Sequence, residues 1–229
     1  MRGSTEPVDV SIVFPAYNEA DNIATVVTEF ARELASINCE FIVVNDGSTD
    51  DTAQVLDTLD VSNLRVVHHS NNRGYGAALF SGFAAAKGQW TFFTDSDRQF
   101  KPMDFHRIWS ARVENDVVLG YRSNRKDPFF RKMNALLWST YIRLLFGVRV
   151  QDLNCAFKLF PSKALKHLDL KSKGAFINAE ILSGLKKQGL SWTEIPVRHY
   201  PRVEGVQTGA NPKVVFRAFK ESWAYYTQR

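Results

Sequence analysis

Two carboxylates one residue apart, Asp95 and Asp97, are followed by an amide at Gln99, and all three come just after the short apolar run Trp90-Thr91-Phe92-Phe93. That run reads as a strand. A D-x-D pair at the end of a buried strand forms a hard, oxygen-rich corner, suited to Mg²⁺ or Mn²⁺ already carrying phosphate oxygens. A corner that holds metal and diphosphate together points to a nucleotide-activated donor. By itself such a pair is more often a solvated turn, so its meaning depends on what else reaches the same place.

The elements that must position it alternate along the first half of the chain. Strands are expected over 10–15, 40–45, 64–68 and 90–94, and helices over 19–35, 52–59 and 76–86. The first helix carries Ile23, Val26, Val27, Phe30 and Leu34 on one face. Asp50 or Thr49 is placed to cap the second helix. Strands separated by helices imply parallel βαβ units with right-handed crossovers, and ligands of such sheets lie at the carboxyl ends of the strands. Tyr17-Asn18-Glu19, Asp46-Gly47-Ser48 and Asp95-Ser96-Asp97 all fall at such ends. Further strands are expected near 116–120, 155–160 and 191–200, with helices over 129–146, 175–188 and 212–226.

Composition narrows the function classes. The chain of 229 residues carries a net charge of +5, and its length suits one large α/β domain. A single domain is expected over 8–229, with 1–7 a disordered N-terminus or cloning remnant. No apolar run reaches eighteen residues, so no membrane-spanning helix is expected, nor a secretory leader. Cys39 and Cys155 sit in apolar contexts and read as reduced core residues, which suits a cytoplasmic setting. From Tyr121 to Val150 seven basic side chains face Asp127 alone, a patch for an anionic partner. No nucleic-acid-binding signature accompanies it. In the 129–146 helix, Phe130, Met133, Leu137, Tyr141 and Leu144 form one stripe, and Leu136, Trp138, Ile142 and Leu145 a second. One is expected to face the core and the other a membrane surface. Val215, Phe219 and Trp223 give the last helix a similar face. Gly74-Tyr75-Gly76 lacks the third glycine of a dinucleotide fingerprint, position 79 being Leu79. It reads as a tight turn before a helix N-terminus near a diphosphate.

With these residues assembled, the chain resembles the family-2 glycosyltransferases of GT-A fold, and among them the dolichyl- or polyprenyl-phosphate sugar synthases. The resemblance rests on Phe14-Pro15-Ala16-Tyr17-Asn18-Glu19, Val44 to Asp50, Asn72 to Ala77, Asp95 to Gln99, Asp152 to Phe160, Asn178 to Leu182 and Pro201 to Gly205. Arg98 replaces a leucine usual in the family. The resemblance implies a GT-A, Rossmann-like sheet and transfer, with inversion, of a sugar from a GDP- or UDP-linked donor to a polyprenyl phosphate. The site would be peripheral to the cytosolic membrane face. It implies that Pro15, Ala16, Tyr17, Glu19, Asp46, Gly74, Asp95 and Ser96 line the donor site. Asp97 and Gln99, with Asp95, would hold Mg²⁺ or Mn²⁺. Arg122, Arg131, Lys158 and Arg202 are candidates for the acceptor phosphate. Asp152 and Glu180 are expected to position groups near the sugar first and to act as a base second, because a lipid phosphate needs little deprotonation. A soluble or glycan hydroxyl acceptor, or a silent sugar-nucleotide-binding module, stays open, as does a second copy of the chain as partner.

Overall fold

The computed structural model describes residues 7–123, 129–202 and 212–227, with side chains omitted at 129–132, 212 and 213. Seven strands form one sheet: β1 (Val10–Ala16), β2 (Cys39–Asn45), β3 (Leu64–His68), β4 (Trp90–Thr94), β5 (Val117–Arg122), β6 (Phe157–Pro161) and β7 (Trp192–Val197). Their order is β3-β2-β1-β4-β6-β5-β7. All pairings are parallel except those of β6, which runs antiparallel between β4 and β5. This is the expected mostly parallel GT-A sheet. The helices are α1 (Ala20–Glu33), α2 (Thr52–Asp57), α3 (Tyr75–Ala85), α4 (Phe105–Ala111), α5 (Phe129–Phe146), α6 (Ser162–Lys166), α7 (Ile177–Lys187) and α8 (Pro212–Thr227).

Strands β1 and β2 are buried at every residue, as expected of a parallel sheet covered on both faces. Helix α1 lays Ile23, Val26, Val27 and Phe30 on it. Helix α3 is built of small residues because it lies very close: a Cβ on Gly82 would sit 2.3 Å from Val13 Cγ1. Phe92 anchors the aromatic centre, with edge-on rings of Phe105 and Phe157 at 4.9 and 4.7 Å, a favoured geometry. Both cysteines are buried and free, and burial pushes the Cys39 thiol up to about 11. Two short helices, α4 and α6, were not expected.

The register fixes the functional rim. Ala16 pairs with Asn45, and Asn45 with His68. Val13 pairs with Phe93, so Asp95 emerges beside Pro15. Four strand ends are therefore level. The second half adds α5 and α8, which pack on each other through Trp138, Tyr141 and Phe219. The two stripes of α5 sort differently from the expectation. Trp138, Tyr141, Ile142, Leu145 and Phe146 turn inward, while Met133, Leu136, Leu137 and Leu144 are exposed. Tyr141 and Leu136 thus exchange sides, because helical spacing places Tyr141 beside Trp138 and Leu136 beside Met133. Phe216 and Trp223 of α8 are also exposed. Among the described residues no helix is long and apolar enough to cross a membrane.

Candidate functional site

Each of the four level strands is followed by a turn with one left-handed residue: Asn18, Gly47, Gly74 and Arg98. The sequence makes these turns interlock. Asn18 donates its N–H to Ser48 Oγ at 3.0 Å, and its Oδ1 accepts from Thr49 N at 2.8 Å. Asp50 or Thr49 was expected to cap α2, but the N-cap position falls to Asp51, which makes no side-chain cap bond; Asp50, one residue earlier, accepts from Thr52 N through Oδ1, and its Oδ2 reaches back to Ala20 N. Gly47 cannot carry a side chain, since a Cβ there would lie 2.3 Å from the backbone of Asn71. Gly74 (φ +102°) is similarly pressed against the Lys173 carbonyl, and Gly76 N donates to that same oxygen at 2.9 Å.

The acidic corner is drier than a solvated turn. Ser96 Oγ donates to Pro15 O at 2.8 Å, which clips the Asp95–Asp97 turn onto β1. Asp95 accepts from Tyr75 Oη at 3.1 Å. Removal from water, reinforced by the charge of Asp97, raises the Asp95 carboxyl to about 7. Burial also raises Asp97 and Glu19, opposed at both by Arg202. Arg202 supplies the balancing charge: one guanidinium nitrogen lies 2.6 Å from Glu19 Oε1 and another 3.6 Å from Asp97 Oδ2. Asn22 steadies the second Glu19 oxygen at 2.8 Å.

These groups fit a hard divalent cation. The donors are oxygens, crowded and desolvated, and added positive charge would relieve them. Among the described residues no three His, Cys, Asp or Glu side chains are grouped to hold an ion unaided. The remainder of its shell would come from water and donor phosphate, the usual arrangement for Mg²⁺. The Gln99 amide donates to Tyr200 O at 3.0 Å, and Tyr200 N donates back to Gln99 O at 2.9 Å. Gln99 thus clasps the 199–202 segment that carries Arg202, leaving its side-chain carbonyl as the group available to a metal.

Several expected site residues are engaged within the fold. Arg202, expected at the acceptor phosphate, contacts Glu19 and Asp97. Lys158 was expected there too. It is 1% exposed and donates to Leu153 O at 2.7 Å and Asn178 Oδ1 at 2.6 Å, so it ties the fold together and does not reach an acceptor. Burial pulls its ammonium down to about 8. Arg122 grips Asp152 in a two-bond fork at 2.6 and 2.8 Å, a geometry that fixes both side chains. Glu180 is 2% exposed, and its two oxygens accept the backbone N–H groups of Lys171 and Ser172, both at 3.0 Å. It therefore braces the loop that meets Gly74 and Gly76. Arg131 lies on α5, with its side chain outside the described residues. Tyr17, beside Pro15 and Ala16, is exposed at the rim. Asp46 turns its carboxylate to the 69–74 loop.

Sequence reading overlooked Tyr75, Thr52 and His69. Tyr75 was within a recognised motif, whereas the His69 and Thr52 contacts join segments far apart in sequence.

The glycosyl transferase family 2 model matches residues 11–169. A dodecaprenyl-phosphate galacturonate synthase of Rhizobium johnstonii is 31% identical over 218 residues, covering 90% of this chain and 64% of that protein. A dolichyl-phosphate β-glucosyltransferase of Saccharomyces cerevisiae is 29% identical over 223 residues, covering 84% of this chain and 67% of its own. The chain thus spans about two thirds of the length of these relatives. Among solved structures, glucosyl-3-phosphoglycerate synthase from Mycobacterium tuberculosis, in complex with Mn²⁺, UDP and glucosyl-3-phosphoglycerate, superimposes with a TM-score of 0.69. It shares 22% identity over 86% of this chain and 73% of that one, a likeness of fold. With the family model spanning most of the sheet and the four rim turns, the chain belongs to glycosyl transferase family 2.

Proposed function

We propose that this protein transfers a sugar, with inversion, from a GDP- or UDP-linked donor to a polyprenyl phosphate at the cytosolic membrane face. The observation that carries the choice of acceptor is the state of the two base candidates. Both Glu180 oxygens are taken by backbone amides, and Asp152 is forked by Arg122. A hydroxyl acceptor would need a base to take its proton, whereas a phosphate monoester arrives already anionic. The relatives act on dodecaprenyl and dolichyl phosphates by name, in accord with this reading.

In this account Pro15, Ala16, Tyr17, Asp46 and Gly74 hold the nucleotide, and Asp95, Asp97 and Gln99 hold Mg²⁺ or Mn²⁺. The ion would neutralise charge on the departing nucleoside diphosphate. Arg202 adds a guanidinium at the same place, and Arg122 and Arg131 receive the acceptor phosphate. The repulsion between two phosphorylated reactants makes such cations necessary for close approach. The exposed aliphatic and aromatic side chains of α5 and α8 lie on the bilayer interface, flanked by Arg143 and Lys220. The test offers a polyprenyl phosphate and the matching neutral polyprenol, each with labelled donor. Transfer to the phosphate alone is expected; equal transfer to the alcohol would overturn the reading.

A further inference from the structure

Just past the carboxyl end of β3, His69 and Ser81, which have no part in the donor, metal or acceptor groups above, build a relay onto Asp46. His69 Nδ1 lies 2.6 Å from Asp46 Oδ1, and His69 Nε2 lies 2.9 Å from Ser81 Oγ on α3. The His69 and Asp46 side chains are each only 4% exposed. Asp46 is acceptor-only when ionised, so the network assigns the proton between them to Nδ1. The remaining bonds of the Asp46 carboxylate go to one loop: Arg73 N donates to Oδ1 at 2.9 Å and Gly74 N to Oδ2 at 2.8 Å. The loop is also pressed on the Gly47 turn, where a Cβ would strike Asn71. The next residue, Tyr75, reaches Asp95. One carboxylate therefore joins the ends of β2 and β3 and, through Gly74 and Tyr75, meets the acidic corner beyond β4.

Aspartate, histidine and serine in this order have the connectivity of an activated nucleophile. The surroundings exclude that use. The imidazole is enclosed, and Ser81 stands in the interior of α3, where backbone N–H groups are already engaged along the helix.

We infer that His69 is a positioning residue: it holds Asp46 in the orientation that latches the 69–74 loop, and so sets the nucleotide end of the site. Ser81 fixes the ring from behind. The role in binding rests on the donor reading above, while the latch itself does not. Three of the roughly four lone-pair sites of the carboxylate are occupied by this network. Loss of His69 would free Asp46 to turn, releasing Arg73 and Gly74 together.

The test compares wild type with His69→Ala, His69→Asn, His69→Phe and Ser81→Ala. Asparagine places an N–H close to the position of Nδ1, and phenylalanine fills the space with no donor. Two readouts are taken: hydrogen exchange at the amides of Arg73 and Gly74, with Val66 and Val67 as internal controls, and affinity for UDP and GDP with Mg²⁺. Losing a hydrogen bond to a charged acceptor should speed exchange at Arg73 and Gly74 and weaken nucleotide binding, each by about tenfold, in the Ala and Phe variants. The Asn variant should recover most of both, and kcat should change little. Ser81→Ala should show the same pattern at about threefold, and it keeps the inference open to refutation if the His69 variants do not fold. Wild-type exchange at Arg73 and Gly74 in His69→Phe, or in Ser81→Ala alone, would overturn the latch. Faster exchange with unchanged nucleotide affinity would overturn its role in binding. Failure of wild type to bind either nucleotide would instead fall on the donor reading, with the exchange data still deciding the latch.

Discussion

Replacing Glu180 with glutamine separates a brace from a base. The carboxylate accepts two backbone N–H groups at 3.0 Å, one of them on the buried Ser172. Glutamine keeps one acceptor and turns an NH₂ toward the other N–H. One charge-assisted bond is lost and one donor is left facing another, at a cost of about 2–3 kcal/mol. In a chain of this size each kcal/mol shifts Tm by about 2–4 °C, so a fall of about 5–10 °C is expected. The loosened loop carries the Lys173 carbonyl that receives Gly76 N, so donor KM should rise a few-fold. A general base contributes about 10²–10⁴-fold to rate, whereas a brace does not, and kcat well below the variant's Tm should fall less than about tenfold. Thermal melts followed by circular dichroism, with steady-state kinetics on the same samples, decide the matter. An unchanged Tm with a thousandfold loss of kcat would refute this reasoning.

Arg202→Ala leaves Glu19 and Asp97 without their shared counter-charge, so donor-free Mn²⁺ binding, followed by electron paramagnetic resonance, should tighten while donor turnover falls; unchanged Mn²⁺ affinity would contradict the placement. Lys158 has a folded pKa of about 8, below its ordinary 10.5. Between about pH 8 and 10.5 the unfolded chain therefore binds the extra proton, and this group makes stability rise with pH by up to about 1.4 kcal/mol per unit. Urea denaturation across that range should show the slope in wild type and lose it in Lys158→Met. Leu137 and Leu144 are 62% and 79% exposed, and Leu137→Glu with Leu144→Glu should abolish sedimentation with anionic vesicles while leaving Tm within about 2 °C, as surface changes usually do.

Much of the sheet was legible because its signal is local. Apolar runs bounded by turn residues placed β1 to β4 within a residue or two, and the D-x-D pair stood out at a strand end. The antiparallel direction of β6 has no local signature, and the short helices α4 and α6 are too brief for periodicity to register. The site was legible as a set of residues but not as pairings. Arg202 reaches Glu19 across 183 positions, and no spacing rule connects them. Lys158 looked available because it is a cation, yet it alternates with Phe157 and Leu159 inside a strand flanked by β4 and β5. Both faces of such a strand are covered, so its charge had to be met within the fold. Glu180 was expected to position groups near the sugar first and to act as a base second, because the residue type and motif show a carboxylate but not what it accepts. The backbone amides it accepts become visible only once the 171–172 loop is folded over α7.

The most direct measurement is a panel of labelled UDP-, GDP- and dTDP-sugars incubated with Mn²⁺ or Mg²⁺ and a polyprenyl phosphate in membranes, scored for labelled lipid and released nucleoside diphosphate. The account predicts labelled lipid from a UDP- or GDP-linked donor, lost with EDTA and with Asp97→Asn. Donor consumption with no labelled lipid, or lipid labelling that persists in EDTA, would contradict it.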